Sequence, residues 1–364
     1  MKKLISLLLI LSLLLGGCTL PEGTLPAETE ETPPQATHPA VPEADTLTVH
    51  FIDVGQADCA LLECGGEYML IDGGNVEDGQ LVVSYLEQQG VEELNTVICT
   101  HAHEDHVGGL PAVLAVYPTA TVLAPTKTYS SGCFDDFMYY VDQQGLEVEI
   151  PSPGDVYTLG GENQGASILV LGPVESYADT NNTSIVLMVT FGDNRFLFTG
   201  DMETDAEADM LDHWEGRMDW NVDVLKVGHH GSSTSTSYRF LYETDPAYAV
   251  ISVGEGNSYG HPHEEVISRL NDAGITIFRT DDLGTIVAVS DGQDITFTWD
   301  DQSAEPENAE PAETAETQYI GNVNSKKFHS STCSNLPKEE NRTYFSSYQE
   351  AIDEGYTPCS NCLS

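Results

Sequence analysis

The sequence predicts an α/β chain, layered sheets with helices outside, followed by a small metal-binding module. Three observations predict it. From Thr46 to Thr298 short apolar strands alternate with helical stretches; the loop His101-Ala102-His103-Glu104-Asp105-His106 directly follows the apolar run Val97-Ile98-Cys99; and a cysteine-bearing tail lies beyond a stretch rich in Glu, Pro, Ala and Thr. A length of 364 residues with 40 % hydrophobic content allows one large domain plus a small one.

Residues 1–18 read as an export signal: Met1-Lys2-Lys3, an apolar run from Leu4 to Leu15 too short to span a membrane, then Gly16-Gly17-Cys18. Leu15-Gly16-Gly17-Cys18 resembles the bacterial lipoprotein box. That resemblance implies lipidation at Cys18 and a protein anchored to the bacterial cell membrane on its extracytoplasmic side; a secreted, unlipidated protein is the alternative. Residues 19–45 are rich in Pro, Thr, Glu and Ala with no apolar periodicity, and read as a disordered linker.

The large domain is expected over 46–300. Leu47 to Asp53, Ala60 to Leu62 and Tyr68 to Asp72 read as strands separated by turn residues, and Leu81 to Leu86 as a helix ended by Gly90. Phe134 to Gln144 and Glu264 to Ala273 read as helices. Strands are expected at Ser167 to Leu171, Val222 to Val227, Tyr248 to Ser252, Ile275 to Phe278 and Thr285 to Val289, with Ile185 to Val189 and Arg195 to Thr199 forming a hairpin around Gly192-Asp193. Cys59 and Cys99 sit in strand-like runs and read as buried thiols. An acidic linker over 301–318, flexible from Ser303 onward, leads to a module over 319–364.

The formal net charge of -46 comes from 59 acidic against 13 basic residues, and only seven of the basic ones lie between Cys18 and Gln318. Affinity for nucleic acid that rests on Lys and Arg displacing counterions is excluded for the large domain. A polyanionic substrate would have to be drawn in locally, by metal ions.

Divalent transition metals take imidazole nitrogen and carboxylate oxygen, and His101, His103, Asp105 and His106 offer four such groups within six residues. Phe198-Thr199-Gly200-Asp201 ends an apolar strand with a carboxylate, and Lys226-Val227-Gly228-His229-His230-Gly231-Ser232 ends another with paired histidines. Alone, each is ambiguous between a turn and a ligand; in this order after the histidine loop they read as further ligands. Asp58 and Asp72 could orient ligand imidazoles through their second nitrogens. His261 and His263 flank Pro262 before a helix, where imidazole either donates a proton to a leaving oxygen, holds a phosphate or caps the helix. Ser232 and the neighbouring glycines would let backbone and hydroxyl groups approach a phosphate, as would a plain Ser/Thr-rich loop.

These stretches, with Phe51 to Asp58, Ile71-Asp72-Gly73-Gly74, Asn181-Asn182-Thr183-Ser184 and Gly260-His261-Pro262-His263, resemble the metallo-β-lactamase superfamily, and more narrowly the hydrolase domain of ComEC-type DNA-uptake competence proteins. The resemblance implies the αββα sandwich, two mixed sheets face to face with helices outside and metals at one edge. It implies His101 and His103 at one metal, Asp105, His106 and His230 (or, less favoured, His229) at a second, and Asp201 bridging both. Where most superfamily members complete the first site with a histidine, this chain has Asn181 and Asn182 before Ser184, which implies a weaker first site and one or two ions of Zn2+ or Mn2+.

The tail carries His329-x3-Cys333 and Cys359-x2-Cys362, which is tetrahedral zinc spacing, and three cysteines cannot form two disulfides. It resembles the metal-binding module of Ada-type DNA repair proteins, with His329 where that module has its methyl-accepting cysteine, so the resemblance implies structural Zn2+ without methyl transfer. Lys326, Lys327, Lys338 and Arg342 favour a nucleic-acid contact there.

Together these readings imply a metal-dependent extracytoplasmic hydrolase, first a phosphodiesterase or nuclease on DNA using a metal-activated hydroxide, with Asp105, His261 and His263 as catalytic candidates. One alternative is hydrolysis of another ester, a cell-envelope phosphodiester or a lactone. Another is a surface DNA-binding protein with an inactive hydrolase domain. No protein partner follows from the sequence, and it holds no apolar multi-span region that would make a DNA channel.

Overall fold

The computed structural model describes residues 46–161, 165–308, 319–330, 333–346, 348–360 and 362–363. The expected export signal, Cys18 and the linker over 19–45 lie outside the described residues.

Strands β1 (Leu47–Phe51), β2 (Ala60–Cys64), β3 (Glu67–Ile71), β4 (Leu94–Ile98), β5 (Thr119–Leu123) and β6 (Val148–Glu149) open the chain. They are followed by β7 (Val156–Leu159), β8 (Ala166–Gly172), β9 (Val186–Phe191), β10 (Asn194–Phe198), β11 (Val224–Lys226), β12 (Tyr248–Ile251), β13 (Thr276–Arg279), β14 (Ile286–Ser290) and β15 (Ile295–Trp299). An eight-stranded sheet runs β15-β14-β1-β2-β3-β4-β5-β6, and a seven-stranded sheet runs β13-β12-β11-β10-β9-β8-β7.

Side chains alternate across each strand, so one set meets the opposite sheet and the other meets helices. Val49, Phe51, Leu62 and Met69 pack with Phe196, Phe198, Val224 and Val250 between the sheets. Leu61 and Leu70 face outward against α1 (Gly79–Gln88), α3 (Leu110–Val116) and α4 (Gly132–Gln143), with the short α2 (Glu104–Val107) at the sheet edge. Leu197, Leu225 and Ile251 face α5 (Thr204–Trp214), α6 (Tyr238–Thr244) and α7 (Glu264–Asp272). The result is four layers, the αββα sandwich, whose strands are buried on both faces and therefore read as near-continuous apolar runs. Cys59 and Cys99 are buried free thiols. No helix among the described residues is long and apolar enough to cross a membrane.

The expected hairpin forms, with Phe191 paired to Asn194 across Gly192-Asp193. Helices α5 and α6 were not signalled by the sequence, because α5 carries its few apolar residues among acidic ones and α6 follows directly on a Ser/Thr-rich loop. The flexible linker is corrected at its start. Glu307 bridges to Ile277 at the free edge of β13, its carboxylate meets Arg279 at 3.2 Å, and the Ala304 carbonyl accepts from Trp299 Nε1 at 3.1 Å. An edge strand with open backbone groups recruits this segment. Residues 309–318 lie outside the described residues.

In the tail β16 (Tyr319–Asn322), β17 (Lys327–His329), β18 (Arg342–Phe345) and β19 (Thr357–Pro358) form a sheet ordered β18-β16-β17-β19, covered by α9 (Tyr348–Asp353); α8 (Thr280–Leu283) belongs to the large domain. Tyr319, Phe328, Phe345 and Tyr356 make its core.

Candidate metal centre

The centre forms where β3, β4, β10, β11 and β12 end on one edge of the sandwich. Strands β3 and β4 are parallel, as are β10, β11 and β12, so their following loops converge. After β4 the chain runs extended through His103 (ψ 153°) and then turns into α2, which places Asp105 and His106 on its first turn. The turn is pressed against Gly73, whose N–H donates to the His106 carbonyl at 2.7 Å. A methyl group at Gly109 would run into the Gly73 carbonyl oxygen, so only glycine fits there.

Oxygen and nitrogen atoms of Asp105, His106, Asp201 and His230 lie within 4.8 Å of one another. His106 Nε2 is 3.2 Å from Asp201 Oδ1, and His230 Nε2 is 3.7 Å from the same oxygen and 3.4 Å from Asp105 Oδ2. His106 Nε2, His230 Nε2 and Asp201 Oδ1 are buried and make no hydrogen bond. Buried polar atoms without partners are costly, and a cation among them would satisfy all three. Imidazole nitrogen and carboxylate oxygen suit Zn2+ or Mn2+, so the donor set fits. His101 Nε2 lies 3.1 Å from His103 Nδ1 and 3.8 Å from Asp201 Oδ2.

The far sides of these rings are held. Asp72 accepts from His106 Nδ1 at 2.8 Å and from the Thr100 N–H and hydroxyl, each at 2.7 Å. His230 Nδ1 donates to the Ser252 carbonyl at 2.9 Å and lies 3.2 Å from Asp58 Oδ1. Asp58 is held in turn by Lys226 Nζ at 2.8 Å. Ser184 Oγ accepts from the Asp201 N–H at 3.0 Å and donates to the Asn181 carbonyl at 2.7 Å.

Electrostatics point the same way. Burial alone would lower His106 and His230, yet Asp201 and Asp72 carry His106 well above its ordinary range, and Asp201 and Asp58 bring His230 up to about 10. Without a cation the carboxylates hold protons on these rings, which a metal would displace. His101 is driven well below its ordinary range by burial and by His106.

Several residues sit otherwise than as direct contacts. Asn182 is buried and its Oδ1 accepts from the Glu203 N–H at 2.9 Å, pointing its acceptor at backbone. Ser232 is buried with its hydroxyl on Thr234 Oγ1 at 3.0 Å. His263 Nδ1 accepts from the Ser233 N–H at 2.8 Å. His261 is pushed down to about 4 by burial and by His229, so at neutral pH it is uncharged. Gln56 Oε1 accepts from the Gly254 N–H, which turns its amide nitrogen toward His261 Nδ1 at 3.4 Å and leaves the His261 proton on Nε2. A cleft of about 370 Å³ is lined by His103, Asp105, Asp201, His229, His230 and His261.

Sequence reasoning passed over Lys226, Glu203 and Thr100. A lysine inside the apolar strand Val224-Leu225-Lys226-Val227 was the available signal for the first.

In the tail, ligand atoms of His329, Cys333, Cys359 and Cys362 lie within 4.8 Å of one another. Parallel pairing of β17 with β19 sets Phe328 opposite Pro358, and the Cys359 N–H donates to the Phe328 carbonyl at 2.9 Å, which brings His329 beside Cys359.

A carboxylate flanked by imidazoles on both oxygens, at the edge of an αββα sandwich, suits a metal-dependent hydrolase. The family described as the metallo-beta-lactamase superfamily matches residues 52–255, and the chain belongs to it. Residues 309–363 match the metal binding domain of Ada, so the tail is an Ada-like zinc-binding domain. Among curated relatives, ComE operon protein 3 of Bacillus subtilis is 29% identical over 65% of this chain and 32% of its own length. Competence protein ComA of Neisseria gonorrhoeae is 31% identical over 68% of this chain and 33% of its own. Recombination protein 2 of Haemophilus influenzae is 32% identical over 62% of this chain and 26% of its own. The chain thus spans about a third or less of the length of these relatives.

Proposed function

We propose that this chain is a phosphodiesterase that cuts DNA outside the cytoplasm, held at the membrane by a lipid on Cys18. The observation that carries the reading is the convergence of unpartnered His106, His230 and Asp201 atoms with Asp105, three of these residues, Asp105, Asp201 and His230, lining an open cleft. The names of the relatives, a competence protein and a recombination protein, favour DNA over other diesters.

Bound ions supply a nucleophilic water at neutral pH and a Lewis acid for the phosphoryl oxygen. The chain does the rest. Asp201 keeps two groups of imidazoles at a fixed spacing, Asp58 and Asp72 hold the rings of His230 and His106, and the Nε2–H of uncharged His261 donates a hydrogen bond to a non-bridging phosphate oxygen. His263, with Nδ1 committed to Ser233, has only Nε2 to offer a leaving oxygen. The Ada-like domain, with its four basic residues, retains the strand.

The test is hydrolysis of single- and double-stranded DNA by the full chain loaded with Zn2+ or Mn2+. Cutting that His103→Ala abolishes supports the reading; intact DNA under every loading refutes it. Exposed Glu104 at the cleft, with exposed Glu77 in the hollow beside it, favours a second reading, a less charged ester, which a side-by-side panel of cell-envelope phosphodiesters and lactones distinguishes. Binding of DNA by residues 301–364 with no turnover in the full chain would leave only a surface DNA-binding protein.

A further inference from the structure

The two oxygens of Asp201 face different pairs of imidazoles. Oδ1 meets His106 and His230, while Oδ2 has His101 Nε2 at 3.8 Å and His229 Nε2 at 3.7 Å. We propose that His229 is a metal ligand that completes a site with His101, His103 and Asp201, and that Glu203 is its positioning residue. The inference depends on the metal-dependent hydrolase class alone, and not on DNA being the substrate.

The backbone provides the first support. His229 (φ 51°, ψ 46°) and His230 (φ 53°, ψ 25°) are consecutive left-handed residues, a strained conformation for a non-glycine residue that concentrates at functional sites. Its effect is to send two neighbouring rings, their planes 66° apart, to opposite oxygens of one carboxylate. An uninterrupted strand would have put them on opposite faces of the sheet.

The far nitrogen of His229 supplies the second support. His229 Nδ1 donates to Thr234 Oγ1 at 3.3 Å, and that hydroxyl in turn donates to Glu203 Oε1, itself 3.4 Å from Nδ1, so the carboxylate fixes the tautomer through Thr234 and aims the other nitrogen at a metal. Glu203 is itself braced: its Oε1 accepts from Thr234 Oγ1 at 2.9 Å and from Asn181 Nδ2 at 3.3 Å, and its N–H donates to Asn182 Oδ1 at 2.9 Å. The asparagine pair therefore acts on the metal centre through Glu203 and His229. The side chain of His229 keeps 22% of its surface exposed, so its removal leaves the core intact.

The experiment is titration of the metal-stripped full chain with Mn2+, which thiolate sites disfavour, followed by metal analysis and electron paramagnetic resonance. Wild type is expected to bind two Mn2+ with an exchange-broadened spectrum. His229→Ala is expected to keep one tight ion, to bind the other at least about 100-fold more weakly and to show the resolved lines of an isolated ion. Glu203→Gln, which keeps the bracing hydrogen bonds, should weaken only that ion, by about 10- to 100-fold. Two ions bound at wild-type affinity by His229→Ala, or a single ion in wild type, would overturn the proposal. These readouts stand whether or not the protein cuts DNA.

Discussion

Replacing Lys226 by Met removes the cation from a buried pair while keeping the aliphatic stem. Lys226 Nζ and Asp58 Oδ2 are 2.8 Å apart with side chains only 5% and 8% exposed, and Lys226 also donates to the Val227 carbonyl at 3.0 Å. At that separation the attraction is about 6 kcal/mol for an effective dielectric of ~20, most of it offset by desolvation of the two charges. Burial would raise the Asp58 carboxyl, but Lys226 and then His230 hold it below the usual carboxylate range. Losing the lysine leaves that carboxylate buried with only the imidazoles of His230 and, less strongly, His106 to offset it, which costs about 3–5 kcal/mol. This is a large share of the ~5–15 kcal/mol that holds a folded domain together. Guanidinium unfolding of the metal-stripped protein measures it. Asp58→Asn in the same chain removes the orphaned charge, so the double variant should be less destabilised than the two single losses added, by about 2 kcal/mol or more. A loss under about 1 kcal/mol for Lys226→Met, or strict additivity in the double variant, would refute the reasoning.

Three further outcomes are expected. Asp201→Asn takes the shared carboxylate from both groups of imidazoles and should lower kcat/KM on the cleaved ester by at least about 10³-fold, with metal content falling in parallel; activity within tenfold of wild type would contradict the bridging role. His50 is pushed from 6.5 down to about 4 by burial beside Tyr85, so the folded chain prefers it neutral. The unfolded chain binds that proton first, and stability present above pH 6.5 is lost as the pH falls toward 4, by at most about 3 kcal/mol relative to His50→Phe in parallel denaturant curves. Cys359→Ser should empty the site formed with His329, Cys333 and Cys362, read as loss of one zinc per chain and faster amide exchange over Tyr319 to Tyr356, with Mn2+ binding by the large domain unchanged.

The residues legible in advance are those whose chemistry is local. His101, His103, Asp105 and His106 stand within six positions, so a single strand end and one helical turn bring them together whatever the rest of the chain does. Asp201 and His230 were legible because each follows directly on an apolar strand. His329, Cys333, Cys359 and Cys362 were legible because their spacing suits one tetrahedral ion. Lys226 was not, since a charged residue in a strand has no visible partner until Asp58, far away in sequence, is folded against it.

The sequence by itself determined the layered α/β class, most of its strands though not β5, β6, β7 or β15, the candidate ligand types and the metal-binding tail, because periodicity and residue chemistry are properties of neighbours along the chain. Only the tertiary structure decided that the segment around Glu307 docks on the edge of β13, that Asn182 faces the Glu203 backbone, and that His229 and His230 meet opposite oxygens of Asp201. Those outcomes depend on left-handed backbone angles and on contacts between distant segments. Spacing along a chain carries no information about either.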